Sequence, residues 1–261
     1  MSSPPLLEVQ AISLSFQGVQ ALSDVSFSVR HGEVLGIIGP NGAGKSSLLN
    51  VINGIYRPDS GCVRFQRHAL SGASPRRAAE LGVARTFQNL ALFRGMTVQE
   101  NVLSGRNLHL RATFFEHALR LPRAVRETQK ERERVDSILE LLRITQHRGT
   151  TVGKLPYGLQ KRVELARALA AEPSLLLLDE PMAGMNFDEK VELCHFILEV
   201  NDSLATTLVL IEHDMSVVMG ISDRVVVLDH GEKIAENTPD QIRRDQRVID
   251  AYLGLAHEHA A

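Results

Sequence analysis

Along residues 6–16 and again along 25–29, apolar β-branched or aromatic side chains alternate with polar ones, which is the period-two pattern of half-buried strands. His31-Gly32 interrupts the pattern, and Val34-Leu35-Gly36-Ile37-Ile38 follows as an unbroken apolar run. The order predicts short antiparallel strands feeding one strand buried on both faces. After Lys45 the spacing changes, with Leu48, Leu49 and Ile52 at helical intervals and Asn53-Gly54 as a stop. A strand, a glycine-rich turn and a helix are therefore expected in succession.

Residues 127–142 are rich in Glu, Lys and Arg and carry Val135, Ile138, Leu139 and Leu142 at helical spacing, so a helical lobe is expected over about 93–159. Beyond it, 175–178 and 207–211 are apolar runs of strand length separated by a helical stretch at 189–200. That is the βαβ rhythm of a parallel sheet. A final hairpin is predicted from 224–228 and 232–236, joined by Asp229-His230-Gly231. The whole reads as one α/β domain with an N-terminal antiparallel part, an inserted α-helical part and a helical tail from about 241 to 261.

Composition adds limits rather than content. In 261 residues, 44% hydrophobic and 23% charged is ordinary soluble usage, so a packed core is expected. A formal net charge of −2 provides no basic footprint, and no nucleic-acid partner is expected. Cys62 and Cys194 lie far apart in no metal-like spacing and read as reduced, packed thiols. His257-Glu258-His259 reads as a solvated terminus rather than a metal tract. The opening MSSPPLLEVQ has neither a basic start nor an apolar run, so no signal peptide is expected. The apolar run at 175–178 falls far short of a membrane span; any membrane role would have to go through partners.

The chemistry sits at three strand ends. Gly39-Pro40-Asn41-Gly42-Ala43-Gly44-Lys45-Ser46, followed by Ser47, fits G-x-x-x-x-G-K-[ST] between a strand and a helix. Glycines let the backbone curl so that N–H groups face a phosphate, and the helix N-terminus adds its positive dipole end. Lys45 is expected to bridge the β- and γ-phosphates of a nucleotide, and Ser46 to offer its hydroxyl to Mg²⁺. The run 175–178 ends in Asp179-Glu180. An apolar run ending in two acids is common, but downstream of a phosphate loop Asp179 reads as the metal-holding acid and Glu180 as a general base for water. The run 208–211 ends in Glu212-His213-Asp214, and His213 is expected at the γ-phosphate, orienting Glu180 and the water.

Taken in order with Gln88 in Arg85-Thr86-Phe87-Gln88 and with Leu155-Pro156-Tyr157-Gly158-Leu159-Gln160, these segments resemble the ATPase subunits of ABC transporters over nearly the whole chain. The resemblance implies a P-loop NTPase (RecA-like) core with an antiparallel β subdomain over about 1–92 and 160–240, and a helical subdomain over about 93–159. It implies ATP and Mg²⁺ as cofactors. Gln88 would contact Mg²⁺ and water at the hinge of the helical lobe, and Phe16 would stack on adenine. It also implies a head-to-tail pair of ATPase subunits in which Tyr157 and Gly158 of one chain complete the partner's ATP site. Two transmembrane permeases would stand above the pair and hold this chain peripherally at the cytoplasmic face of the inner membrane.

Pro156 stands where the family's signature has serine, so the hydroxyl that would meet the partner's γ-phosphate is lost; proline is tolerated at the start of a helix. The second ATPase subunit is therefore expected to be related but non-identical, with an identical copy as the alternative. Residues 85–93, 181–186, 211–219 and 248–254 are similar to the ATPases of branched-chain amino acid importers, which implies a solute-binding protein as an indirect partner. An amide or urea importer, a lipopolysaccharide-type exporter and a soluble ABC ATPase are the alternatives. A P-loop kinase would lack the signature segment and His213.

Overall fold

The computed structural model describes residues 4–87, 90–109, 116, 119 and 121–253. Its strands, in chain order, are β1 (Leu7–Phe16), β2 (Val19–Val29), β3 (Val34–Ile38), β4 (Ser60–Phe65), β5 (His68–Ala69), β6 (Val83–Arg85), β7 (Leu175–Asp179), β8 (Thr207–Ile211), β9 (Arg224–Asp229) and β10 (Glu232–Asn237). The helices are α1 (Lys45–Ile52), α2 (Pro75–Glu80), α3 (Val98–Ser104), α4 (Pro122–Leu141), α5 (Tyr157–Leu169), α6 (Phe187–Leu204), α7 (Met215–Ile221), α8 (Pro239–Ile242) and α9 (Gln246–Leu253).

Two sheets form. An antiparallel sheet runs in the order β2-β1-β4-β5, and a larger one runs β10-β9-β3-β8-β7-β6. In the larger sheet the pairs β3–β8, β3–β9, β7–β8 and β6–β7 are parallel, and β10 returns antiparallel on β9. Every residue of β3, β7 and β8 is buried. The pleat sorts them. Leu35, Ile37, Leu175, Leu177, Val209 and Ile211 pack with the antiparallel sheet and α1, while Ile38, Leu176, Leu178, Leu208 and Leu210 pack with α5, α6 and α7. Covering on both sides is why these strands read as unbroken apolar runs.

The predicted elements are present, with differences that have local causes. The second strand begins at Val19 rather than at Val25, because a register shift near Leu14 and a left-handed backbone at Asp24 break the alternation. Strands β4, β5 and β6 and helices α2 and α7 lie outside the predicted elements, whereas α3 falls in the expected helical lobe. Helix α3 is set by a capping box, Thr97 with Glu100, and α6 by another, Asn186 with Glu189, which begins the helix two residues before the predicted stretch. The hairpin turn is only His230-Gly231, both at positive φ, with Asp229 opposite Glu232. Pro156 is the N-cap of α5 rather than its first helical residue. Gln88 and the tail from 254, including His257-Glu258-His259, lie outside the described residues. Among the described residues no helix is long and apolar enough to cross a membrane.

Leu210 is fully buried in the central strand β8. Leu210→Ala should cost about 2–5 kcal/mol, read as a lowered urea midpoint without loss of secondary structure. A second expectation concerns the start of α7. Lys190 Nζ donates to Asp214 Oδ2 at 2.8 Å and Ser216 also donates to this carboxylate, which holds the Asp214 carboxyl at about 2, below its usual 3.8. A folded value below the unfolded one stabilises the fold above the unfolded value, and this gain is lost as pH falls through the folded one. Asp214→Asn should therefore flatten the fall in melting temperature between about pH 4 and about pH 2.

Candidate functional site

The strand order β9-β3-β8-β7-β6 places the carboxyl ends of five parallel strands side by side. In a parallel sheet this edge is where ligands gather. The phosphate loop follows β3, His213 follows β8 by two residues, Asp179 ends β7 and Arg85 ends β6. Asp179 and Ile37 both pair with Ile211 in the register, so segments more than a hundred residues apart in the chain meet at one height.

The loop requires glycine where it bends. Gly39 has φ 150°, and a Cβ there would lie 2.0 Å from the carbonyl oxygen of Leu228. Gly44 has φ 95°, and a Cβ there would lie 2.5 Å from that of Ala21. Gly44 is the N-cap of α1 and brings no capping side chain. The first N–H groups of α1 therefore point into the loop without intrahelical partners, which suits an anion. Lys45 is buried; its Nζ donates to the carbonyls of Gly39 and Pro40 at 2.6 and 2.8 Å. Burial lowers its pKa, against the opposing pull of the Glu180 and Asp179 carboxylates.

A cavity of about 340 Å³ is lined by Ala21, residues 41–47, Glu180 and His213, a size in the range of small-ligand sites. His213 Nε2 and Glu180 Oε1 are 2.5 Å apart. Glu180 itself has φ 48°, a left-handed backbone that few non-glycine residues adopt, and its N–H still bonds Ile211 O at 2.9 Å. Asp179 is buried next to this cavity wall: Arg85 donates to its Oδ2 at 2.7 Å, and its Oδ1 is buried without a hydrogen-bond partner.

Sequence reasoning missed Glu212. It is buried, accepts from the backbone N–H of Met182 at 2.7 Å and of His213 at 3.3 Å, and so ties the segment after Glu180 to the histidine. Burial raises its pKa. The signal in the sequence is an acid at the end of an apolar run, just before His213.

Two predicted groups stand apart from the cavity. Phe16 is at the end of β1, 42% exposed, with its ring edge-on to Tyr56 at 5.0 Å between centroids. Tyr157 and Gly158 open α5. Tyr157 Oη donates to Ala183 O at 3.0 Å, and its ring lies 3.4 Å from where a Cβ on Gly184 would sit. A Cβ on Gly158 would come within 2.5 Å of Glu189 Oε1, a side chain pinned by the Asn186 cap. The signature segment is thus packed on the 183–186 loop of its own chain.

The ABC transporter family matches residues 22–183, and a branched-chain amino acid ATP-binding cassette transporter family matches 232–258. The chain is 41% identical over 254 residues to the high-affinity branched-chain amino acid transport ATP-binding protein LivG of Salmonella typhimurium, covering 97% of this chain and 100% of that protein. It is 39% identical, with the same coverage, to BraF of Pseudomonas aeruginosa, which bears the same description. Among solved structures, the ADP conformation of MJ1267, an ATP-binding cassette of an ABC transporter, superposes with a TM-score of 0.84 at 30% identity over 97% of this chain and 100% of that one. The phosphate loop, the acid pair and the histidine at one sheet edge, with these likenesses, make the chain a member of the ABC transporter ATP-binding subunits of the branched-chain amino acid type.

Proposed function

We propose that this ATPase couples ATP hydrolysis to the import of branched-chain amino acids through separate permeases. The observation that carries the reading is the meeting of Lys45, Glu180 and His213 around one cavity in a chain related along its whole length to such subunits. The backbone of 39–47 would wrap the phosphates and Lys45 would bridge β and γ. Ser46, exposed at the start of α1, and the unpartnered Oδ1 of Asp179 suit Mg²⁺, with Gln88 as a further ligand. When bound, the cation neutralises charge developing on the transferred phosphoryl group. Glu180, held by His213, would accept the proton of the attacking water, and Phe16 would stack on the adenine.

The helical subdomain, about 93–159, would be the arm toward the membrane, the β and core parts, about 1–92 and 160–240, the engine, and 241–261 a tail. A groove of about 750 Å³ between β6, α3 and α5 presents Phe87, Phe93, Met96 and Leu103, and Phe93 is 54% exposed. We assign it to a cytoplasmic segment of a permease, with the chain on the cytoplasmic face of the inner membrane as part of the same proposal. Tyr157 and Gly158 would face the ATP of a second, related and non-identical ATPase subunit, and a solute-binding protein would deliver the amino acid.

Four outcomes are expected. In vesicles containing both ATPases and both permeases, ATP should drive leucine uptake with the binding protein outside; uptake of urea or an amide in its place would overturn the solute assignment. Lys45→Ala should weaken nucleotide binding by about tenfold or more, the loss of a charge-assisted contact. Glu180→Gln should keep ATP bound while turnover falls by about 10²–10⁴-fold, and unimpaired turnover would end the general-base assignment. Pro156→Ser should leave turnover of the assembled transporter within about twofold, since the helix dipole still faces phosphate; a large rise would mark the proline as a defect.

A further inference from the structure

Arg85 has no role in the mechanism above, yet its buried guanidinium joins the acid at the end of β7 to the helix of the phosphate loop. It ends the edge strand β6, which pairs in parallel with β7 so that Arg85 lies opposite Leu177, two residues before Asp179. One arm of its guanidinium donates to Asp179 Oδ2 at 2.7 Å, and the other donates to Asn50 Oδ1 at 2.6 Å. Asn50 belongs to α1, the helix that begins at Lys45. The ion pair is closed to water, with 7% and 4% of the two side chains exposed. On its outer side the guanidinium lies 5.5 Å from the ring centre of Phe87, one residue before Gln88.

The second carboxylate oxygen shows what the arrangement is for. Asp179 Oδ1 is buried and accepts no hydrogen bond, a costly state for a carboxylate oxygen in a protein interior. The guanidinium spans two partners, Oδ2 of Asp179 through one arm and Asn50 through the other, so the charge-assisted bond to Oδ2 is anchored and favours the orientation that leaves Oδ1 bare. The effect is a single oxygen kept bare and aimed by its partner.

Resting on the ATPase reading above, we propose that Arg85 is a positioning residue for the cation of the nucleotide complex. It fixes Asp179 so that Oδ1 alone is presented to Mg²⁺, and through Asn50 it sets that oxygen relative to the phosphate-loop helix. Lysine, a point charge without the fork, cannot hold both partners in this geometry. Groups that orient a metal ligand typically matter by about 10- to 100-fold in metal affinity.

The test uses the purified chain and a fluorescent ADP analogue, so no turnover is involved. Binding is measured in EDTA and across a Mg²⁺ titration. In Arg85→Lys the Mg²⁺ needed for half of the metal-dependent gain in affinity should rise by about tenfold, with affinity in EDTA unchanged. Asn50→Ala, which spares the ion pair, should shift it the same way by about threefold and carries the test if Arg85→Lys does not fold. An unchanged Mg²⁺ requirement, or an equal loss of affinity with and without Mg²⁺, would overturn the proposal. Failure of the unmodified chain to bind the analogue in either buffer would instead overturn the ATPase reading itself.

Discussion

Burial of the larger sheet on both faces is the constraint from which the site follows. Strands β3, β7 and β8 have no solvent-facing side on which to carry polar groups, so their chemistry is displaced to where the strands stop. Parallel pairing then lines up those stops. Lys45, Asp179, Glu180 and His213 are neighbours because the hydrophobic interior leaves them a single edge to occupy. The backbone there departs from regular geometry at Gly39, Gly44 and Glu180, as expected where a chain must leave a sheet sharply and still present a group.

The edge is also crowded with charge, and its parts keep one another in place. Lys45 is buried between its own loop carbonyls and near two carboxylates. Asp179 is neutralised by Arg85. Glu180 meets His213, whose own N–H is held by Glu212. Each acid near the site has a partner from a different strand end, so a shift of one strand would be felt by the others through short polar contacts rather than through the apolar core.

Much of this was legible in the sequence. The three apolar runs named β3, β7 and β8 because burial on both faces leaves a contiguous signature, and the phosphate loop declared itself because its glycines are demanded by space. Legibility failed where the signal is not periodic. Strand β5 has two residues, both exposed, and β2 is hidden by an irregular register. Capping boxes at Thr97 and Asn186 are S/T/N-x-x-E patterns, a signal that apolar periodicity alone does not register. Arg85 and Glu212 lie within segments that carry recognisable motifs, yet their roles depend on which strand lies beside which, and strand order is not written in any local pattern. Nor could spacing reveal that Tyr157 reaches Ala183, 26 residues away.

That last contact has a consequence for how such chains diverge. Because the Tyr157 ring lies over Gly184 and Gly158 abuts the Asn186–Glu189 cap, the segment at 155–160 and the loop at 183–186 form one interlocked surface. A change on one side alone leaves a hole or a collision on the other. The two stretches should therefore be inherited as a unit, and a chimera exchanging only the signature segment with that of a serine-bearing relative would inherit a mismatched seam.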